Sequence, residues 1–103
     1  MNRKKKGKNK VMTIAIIGSG AVGTTLAVEL KKVLPDTELI GRQDKLMTYF
    51  PENTSNGCHI KVTSFNHINH TFDVIIIAVK THQLNDLIKQ LPKITHDDSL
   101  IIL

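Results

Sequence analysis

The sequence predicts an α/β domain in which helices cover both faces of a parallel sheet. Three observations predict it. Two apolar, β-branched runs, VMTIAII and FDVIIIAV, lack the polar alternation of a half-exposed strand and suit strands buried on both sides. Each is followed by a stretch whose apolar residues recur at spacings of three and four, as in a helix that covers a sheet. A cluster of three glycines, Gly18, Gly20 and Gly23, marks the passage from the first run into its helix. The length of 103 residues suits one small domain that buries roughly 60 to 65% of the surface its unfolded form exposes.

Taken in order, residues 10–17 form the first strand, and Gly18 ends it. From Ala21 onward, Val22, Leu26, Leu30 and Val33 fall on one helical stripe, which is expected to face the sheet. Pro35 and Asp36 close that helix. TELIG, residues 37–41, is the second strand; a strand–helix–strand unit crosses over right-handed, so the two strands are parallel neighbours. The pattern weakens over residues 42–71, where LMTYF and HIKVTSF read as two short strands around the turn-rich PENTSNG, an inserted hairpin. Residues 72–79, FDVIIIAV, form a strand covered on both faces. Leu84, Leu87, Ile88 and Leu91 then share one side of a second helix, which Thr81 caps and Pro92 stops. Asp97 and Asp98 read as turn residues before SLIIL, which begins a last strand.

The formal charge of +5 is concentrated at one end. Six of the fourteen Lys and Arg residues lie in the first ten positions, leaving eight basic residues against nine acidic ones in the remainder. Residues 1–11 therefore read as a disordered basic tail on a nearly neutral domain, residues 12–103. A polybasic arm for nucleic acid or anionic lipid is the alternative, but the tail has no aromatic residue to stack a base and no apolar segment to anchor it. Neither a nucleic acid nor a membrane is expected as a partner. No apolar run reaches the ~18 residues of a membrane span, and a single Cys58 offers no disulfide framework, which favours a cytoplasmic address.

The glycines carry the first functional signal. Gly18-x-Gly20-x-x-Gly23 lies where a strand becomes a helix, the setting in which such a motif holds a dinucleotide. The first glycine permits the sharp turn, the second leaves room for a pyrophosphate, and the third lets helix and strand pack closely. Backbone amides of Ser19, Ala21 and Val22 complete the cradle at the helix start. A glycine turn without a ligand is the plainer alternative. The domain is thus expected to be Rossmann-like.

The end of the second strand chooses the nucleotide. A carboxylate there would bind a ribose 2′-hydroxyl, but Gly41 occupies the place and Arg42 follows, whose guanidinium can pair with a 2′-phosphate. NADP is therefore preferred to NAD. Asp44 remains a ribose ligand if the strand ends two or three residues later than assigned. Lys80 follows the 72–79 strand at its carboxyl end, and a doubly wound order places that strand beside the first, so Lys80 points at the crevice where ligands bind. Gln83 lies one turn further on. The surface alternatives for Arg42, Lys80 and Gln83 are ordinary solvated side chains. His59, His67, His70, His82 and His96 show no metal-ligand spacing, and Cys58 sits in a polar turn without an activating neighbour.

Together, IAIIGSGAVGTTLA, IGR and FDVIIIAVKTHQ resemble the amino-terminal domain of ketopantoate reductases (2-dehydropantoate 2-reductases) over residues 12–103. The resemblance implies that Gly18 to Gly23 hold NADPH, that Arg42 holds its 2′-phosphate, and that Lys80 and Gln83 of the V-K-x-x-Q motif lie by the cofactor near the substrate. It also implies reduction of ketopantoate to pantoate, for pantothenate and coenzyme A. Members of that family continue past this last strand into an Asn-Gly segment and a helical domain that supplies the catalytic lysine. The chain is therefore expected to be the cofactor-binding portion of such an enzyme, with little turnover alone and with an apolar LIIL edge prone to self-association. The rival readings are a nucleotide-sensing regulatory module without catalysis and a basic interaction protein that uses its tail.

Overall fold

The computed structural model describes residues 12–50 and 56–103. The expected basic tail, the start of the first expected strand and most of the PENTSNG turn lie outside them. The described chain runs β1 (Ile14–Ile17), α1 (Ala21–Lys31), β2 (Glu38–Gly41), β3 (Lys45–Tyr49), β4 (Cys58–Ser64), β5 (Val74–Ile77), α2 (Thr81–Gln90) and β6 (Leu100–Ile102). Single 3₁₀ turns follow β4 at Phe65–His67 and α2 at Leu91–Lys93.

The six strands form one sheet in the order β3-β4-β2-β1-β5-β6. Every pairing is parallel except the β3–β4 hairpin at one edge. This is the expected Rossmann-like arrangement. The hairpin is the exception to its expected role: it does form, but β4 also pairs in parallel with β2, matching Leu39 to Val62 and Gly41 to Ser64. It is therefore part of the sheet rather than an insertion beside it. Seven β4 residues alternating between faces, with Ile60 and Val62 inward, give it an apolar side to contribute.

Alternation along β1 shows why its sequence is apolar throughout. Ala15 and Ile17 join a cluster with Ile40, Phe72, Ile75, Leu87 and Ile94 beneath α2, while Ile16 joins Ala27, Val28, Leu39, Ile60 and Val62 beneath α1. Each face of the central strand is thus the floor of a different core. Toward the other edge the cover thins. On β5 the cover expected on both faces is present but thin: Ile75 is buried and Ile77 half-buried in the core beneath α2, while Ile76 is half-buried against the core beneath α1; β6 is exposed throughout.

The expected stripe on α1 is displaced. The helix ends at Lys31 rather than at Pro35, so Val33, 72% exposed, lies beyond it; within it Val22 is 74% exposed, whereas Gly23, Thr24, Ala27 and Val28 face the sheet, with Leu26 and Leu30 at the flank. The contact line is turned by one residue, about 100° of helix. Small side chains let the helix backbone approach the sheet, so steric fit outweighs hydrophobicity in setting the line. On α2, Leu84, Leu87 and Leu91 pack as expected, but Ile88 is half exposed. The cap of α2 is Lys80 rather than Thr81: Gln83 reaches back so that its Oε1 accepts the Lys80 N–H at 3.3 Å.

Opposite the carboxyl ends, a polar latch ties β1, β5 and β6 together. Asp73 Oδ2 accepts from the Thr13 N–H at 2.9 Å, and His96 Nε2 bonds Asp73 Oδ1 at 2.8 Å. Ser99 donates through Oγ to the Phe72 carbonyl at 2.6 Å, and the Leu100 N–H reaches the Asp73 carbonyl at 2.8 Å. Asp97 and Asp98 lie in the turn before β6, as their sequence suggests.

Candidate functional site

The carboxyl ends of β1, β2, β4 and β5 open onto a cleft of about 1180 Å³. β1 stands between β2 and β5, so the chain leaves it to one side and later returns to the other. That reversal is the switch point at which open α/β sheets bind ligands, because the loops there diverge and leave a crevice.

The glycine loop forms its floor, and the three glycines do different physical work. Gly18 has φ +115, and a Cβ there would lie 2.4 Å from the Ala78 carbonyl oxygen. At Gly23 a Cβ would lie 1.9 Å from the Gly18 carbonyl oxygen, so only glycine lets α1 close on the loop. Gly20 differs: nothing lies within 4 Å of where its Cβ would stand, and its backbone is extended. No packing inside the described chain requires that glycine. Gly20 is also the N-cap of α1, with no side chain capping the helix and no acidic residue in its first turn. The leading amides of α1 therefore keep their capacity to bind an anion. Thr24 fixes the loop by donating through Oγ1 to the Ser19 carbonyl at 3.1 Å.

Gly18, Ser19, Gly20, Ala21 and Val22 all line the cleft, as do Arg42, Lys80 and Gln83. Gly23 does not; it packs below the loop. Arg42 follows β2 directly, is exposed, and forms no hydrogen bond or ion pair with the described residues. Gly41 is the last residue of β2, where the sequence places the strand end. Asp44 accordingly does not reach the cleft. Its Oδ1 accepts the Ser64 N–H at 2.7 Å, and its Oδ2 pairs with His67 Nδ1. The Ser64 amide foremost, aided by the charges of His67 and Lys61, holds the Asp44 carboxyl below its ordinary range against the opposing effect of burial.

Other lining residues were not singled out by sequence reasoning. Lys45, Ser64, Phe65 and Asn66 form one wall, and His82, Asp86 and Gln90 extend the α2 side. The α2 set was legible, since Gln83, Asp86 and Gln90 repeat at spacings of three and four as the polar counterpart of the apolar stripe. The wall at residues 64–66 was not, because it borders the cleft only through the pairing of β4 with β2. Two further histidines are engaged away from the cleft: His59 bonds Thr48 at 3.1 Å and His70 bonds Glu38 at 2.7 Å. Cys58 opens β4, partly buried, rather than lying in a turn. Among the described residues no group of three or more His, Cys, Asp or Glu is placed to hold a metal ion, and no helix is long and apolar enough to cross a membrane.

A parallel sheet with a glycine loop at its switch point, open to an anion at the head of α1, defines a nucleotide-binding domain of the dinucleotide type. The sequence model described as ketopantoate reductase PanE/ApbA matches residues 14–103. The chain belongs to that family, whose members are NAD(P)-dependent oxidoreductases that bind a nicotinamide cofactor. The dimeric ketopantoate reductase of Staphylococcus aureus superposes with a TM-score of 0.85 at 51% identity, over 89% of this chain and 32% of that one. Glycerol-3-phosphate dehydrogenases (NAD(P)+) of Rickettsia felis and Legionella pneumophila are each 30% identical, over 91% and 81% of this chain and 33% and 28% of theirs. The chain thus spans about a third of the length of these relatives.

Proposed function

We propose that this chain is the NADPH-binding part of a 2-dehydropantoate 2-reductase. The observation that carries the reading is the pairing of a glycine loop, open at Gly20, with a guanidinium just past the end of β2 that has no partner among the described residues, both on one cleft. In this reading the amides of residues 19–22 hold the pyrophosphate, and Gly18 and Gly23 set the loop's shape. Arg42 takes the 2′-phosphate in a charge-assisted pair, unopposed by any carboxylate at Gly41. Lys80 and Gln83 stand at the carboxyl end of β5, on the far side of β1 from Arg42, toward the nicotinamide.

Bound NADPH supplies the hydride that reduces the ketone of a 2-oxo acid, namely 2-dehydropantoate. The part of this chain in that reaction is to bind and orient: the loop fixes the diphosphate, Arg42 selects the phosphorylated ribose, and Lys80 offers a positive charge at the reacting end. Proton donation and most substrate contacts are assigned to a part of the enzyme outside this chain. The chain by itself is accordingly expected to bind cofactor while giving little or no turnover.

Titration of the full chain with NADPH and NADH tests both statements. NADPH should bind more tightly, and Arg42→Ala should cost about 2 kcal/mol, about thirtyfold, with NADPH alone. An equal loss with both cofactors would contradict the role of Arg42. Oxidation of NADPH by 2-dehydropantoate at the rate of a complete enzyme would contradict the division of labour.

A further inference from the structure

The bend that carries Arg42 is held by a side chain that never faces the cleft. Gln43 and Lys45 line the cleft with Arg42, but Asp44 between them turns the other way. Its carboxylate spans to a segment twenty residues on, accepting the Ser64 N–H at 2.7 Å and pairing with His67 Nδ1. That segment is the facing wall, since Ser64, Phe65 and Asn66 line the same cleft. Within it the Asn66 N–H donates to Ser64 Oγ at 3.2 Å, so the residues bound by Asp44 are already stiffened.

We propose that Asp44 is a positioning residue for cofactor discrimination: by bonding Ser64 and His67 it fixes the bend that presents Arg42 and turns its own negative charge away from the 2′-phosphate. This rests on the assignment of Arg42 to that phosphate. A guanidinium on a bend fixed in advance loses little freedom on pairing with a phosphate, whereas one on a loose bend loses more and binds less tightly. The effect belongs to the ligand that carries the phosphate, because NADH makes no demand on Arg42.

The experiment measures the affinities of the full chain for NADPH and NADH in Asp44→Ala, Asp44→Asn and His67→Ala, with a thermal melt of each. Asp44→Ala should weaken NADPH about tenfold and NADH less than about twofold. Asp44→Asn, whose amide oxygen still accepts the Ser64 N–H, should recover most of the loss. His67→Ala, at an exposed site, removes half of the tie and should weaken NADPH about threefold even if Asp44→Ala does not fold. Parallel losses of both cofactors, or no loss in the folded variants, overturn the positioning role. If the wild-type chain prefers NADPH through Arg42 while His67→Ala and a folded Asp44→Ala leave that preference intact, this proposal fails alone; a wild-type chain indifferent to the 2′-phosphate removes both readings together.

Discussion

At the scale of single residues, the glycine motif separates into parts with opposite dependences. Gly23 is a packing requirement, since any Cβ would meet the Gly18 carbonyl oxygen at 1.9 Å. Gly20 has open space around it, so no packing among the described residues requires its small size. The two substitutions should therefore diverge. Gly20→Val should leave the fold nearly intact, costing about 1 kcal/mol as a poorer N-cap, and abolish nucleotide binding. Gly23→Ala should unfold the loop or shift α1, lowering the melting temperature strongly. Circular dichroism melts beside NADPH titrations check both, and retained affinity in Gly20→Val would place the ligand elsewhere. The sequence motif expects the first and third glycines to serve the turn and packing and the second to leave space, and the neighbours of each agree: Gly18 and Gly23 are crowded by backbone, and Gly20 is open.

At the scale of elements, the β3–β4 hairpin is joined to the rest of the sheet by the pairing of β4 with β2, and its own two ends are held together by one titratable tie. Asp44 precedes β3, and its partners Ser64 and His67 lie at the end of β4 and in the turn beyond it. Its folded carboxyl lies below the ordinary value of 3.8, chiefly through the Ser64 amide. A depressed carboxyl binds its proton less readily folded than unfolded, so its stabilising contribution is complete above that value and is lost as pH falls below it. Asp44→Asn should accordingly flatten the fall of stability as pH drops below 3.8. Denaturant melts at several pH values measure this, and an unchanged acid limb would show that the tie contributes nothing.

On α1 a different balance holds at this scale. Its apolar spacing correctly indicated a helix, yet Val22 points outward, because the contact line follows Gly23, Thr24 and Ala27. Hydrophobic periodicity locates an amphipathic helix, but close packing selects which arc touches the sheet. At α2 the polar residues Lys80 and Gln83 similarly form the start of the helix as well as one side of the cleft. A single glutamine thus serves the helix end, and the proposed cofactor contact, from one position.

At the scale of the whole molecule, the sheet is closed unevenly. One edge is β3, where Lys45, Leu46 and Thr48 are exposed and Lys45 sets a charge on the strand. The other is β6, where Leu100, Ile101 and Ile102 are 58%, 42% and 43% exposed and Leu103 is 85% exposed. A bare, uncharged apolar edge strand pairs readily with another. The chain as it stands should therefore self-associate in solution, and Ile101→Lys should suppress this. Sedimentation velocity over a range of concentrations decides the point: a clean monomer at the highest concentration would overturn the expectation.

The sequence by itself determined the strand–helix alternation, the glycine turn after β1, the end of β2 at Gly41, and the position of Arg42 just past it; β5 ends at Ile77, two residues sooner than its sequence suggests, and Lys80 instead opens α2. These follow from local chemistry: β-branched runs, glycine's freedom at Gly18, and turn residues at fixed offsets. Only the tertiary structure decided that β4 pairs with β2, that Ser64 to Asn66 wall the cleft, that Asp44 turns away from it, and which arc of α1 is buried. Those outcomes depend on which distant segments meet and how closely their side chains fit, and neither quantity is carried by the spacing of residues along the chain.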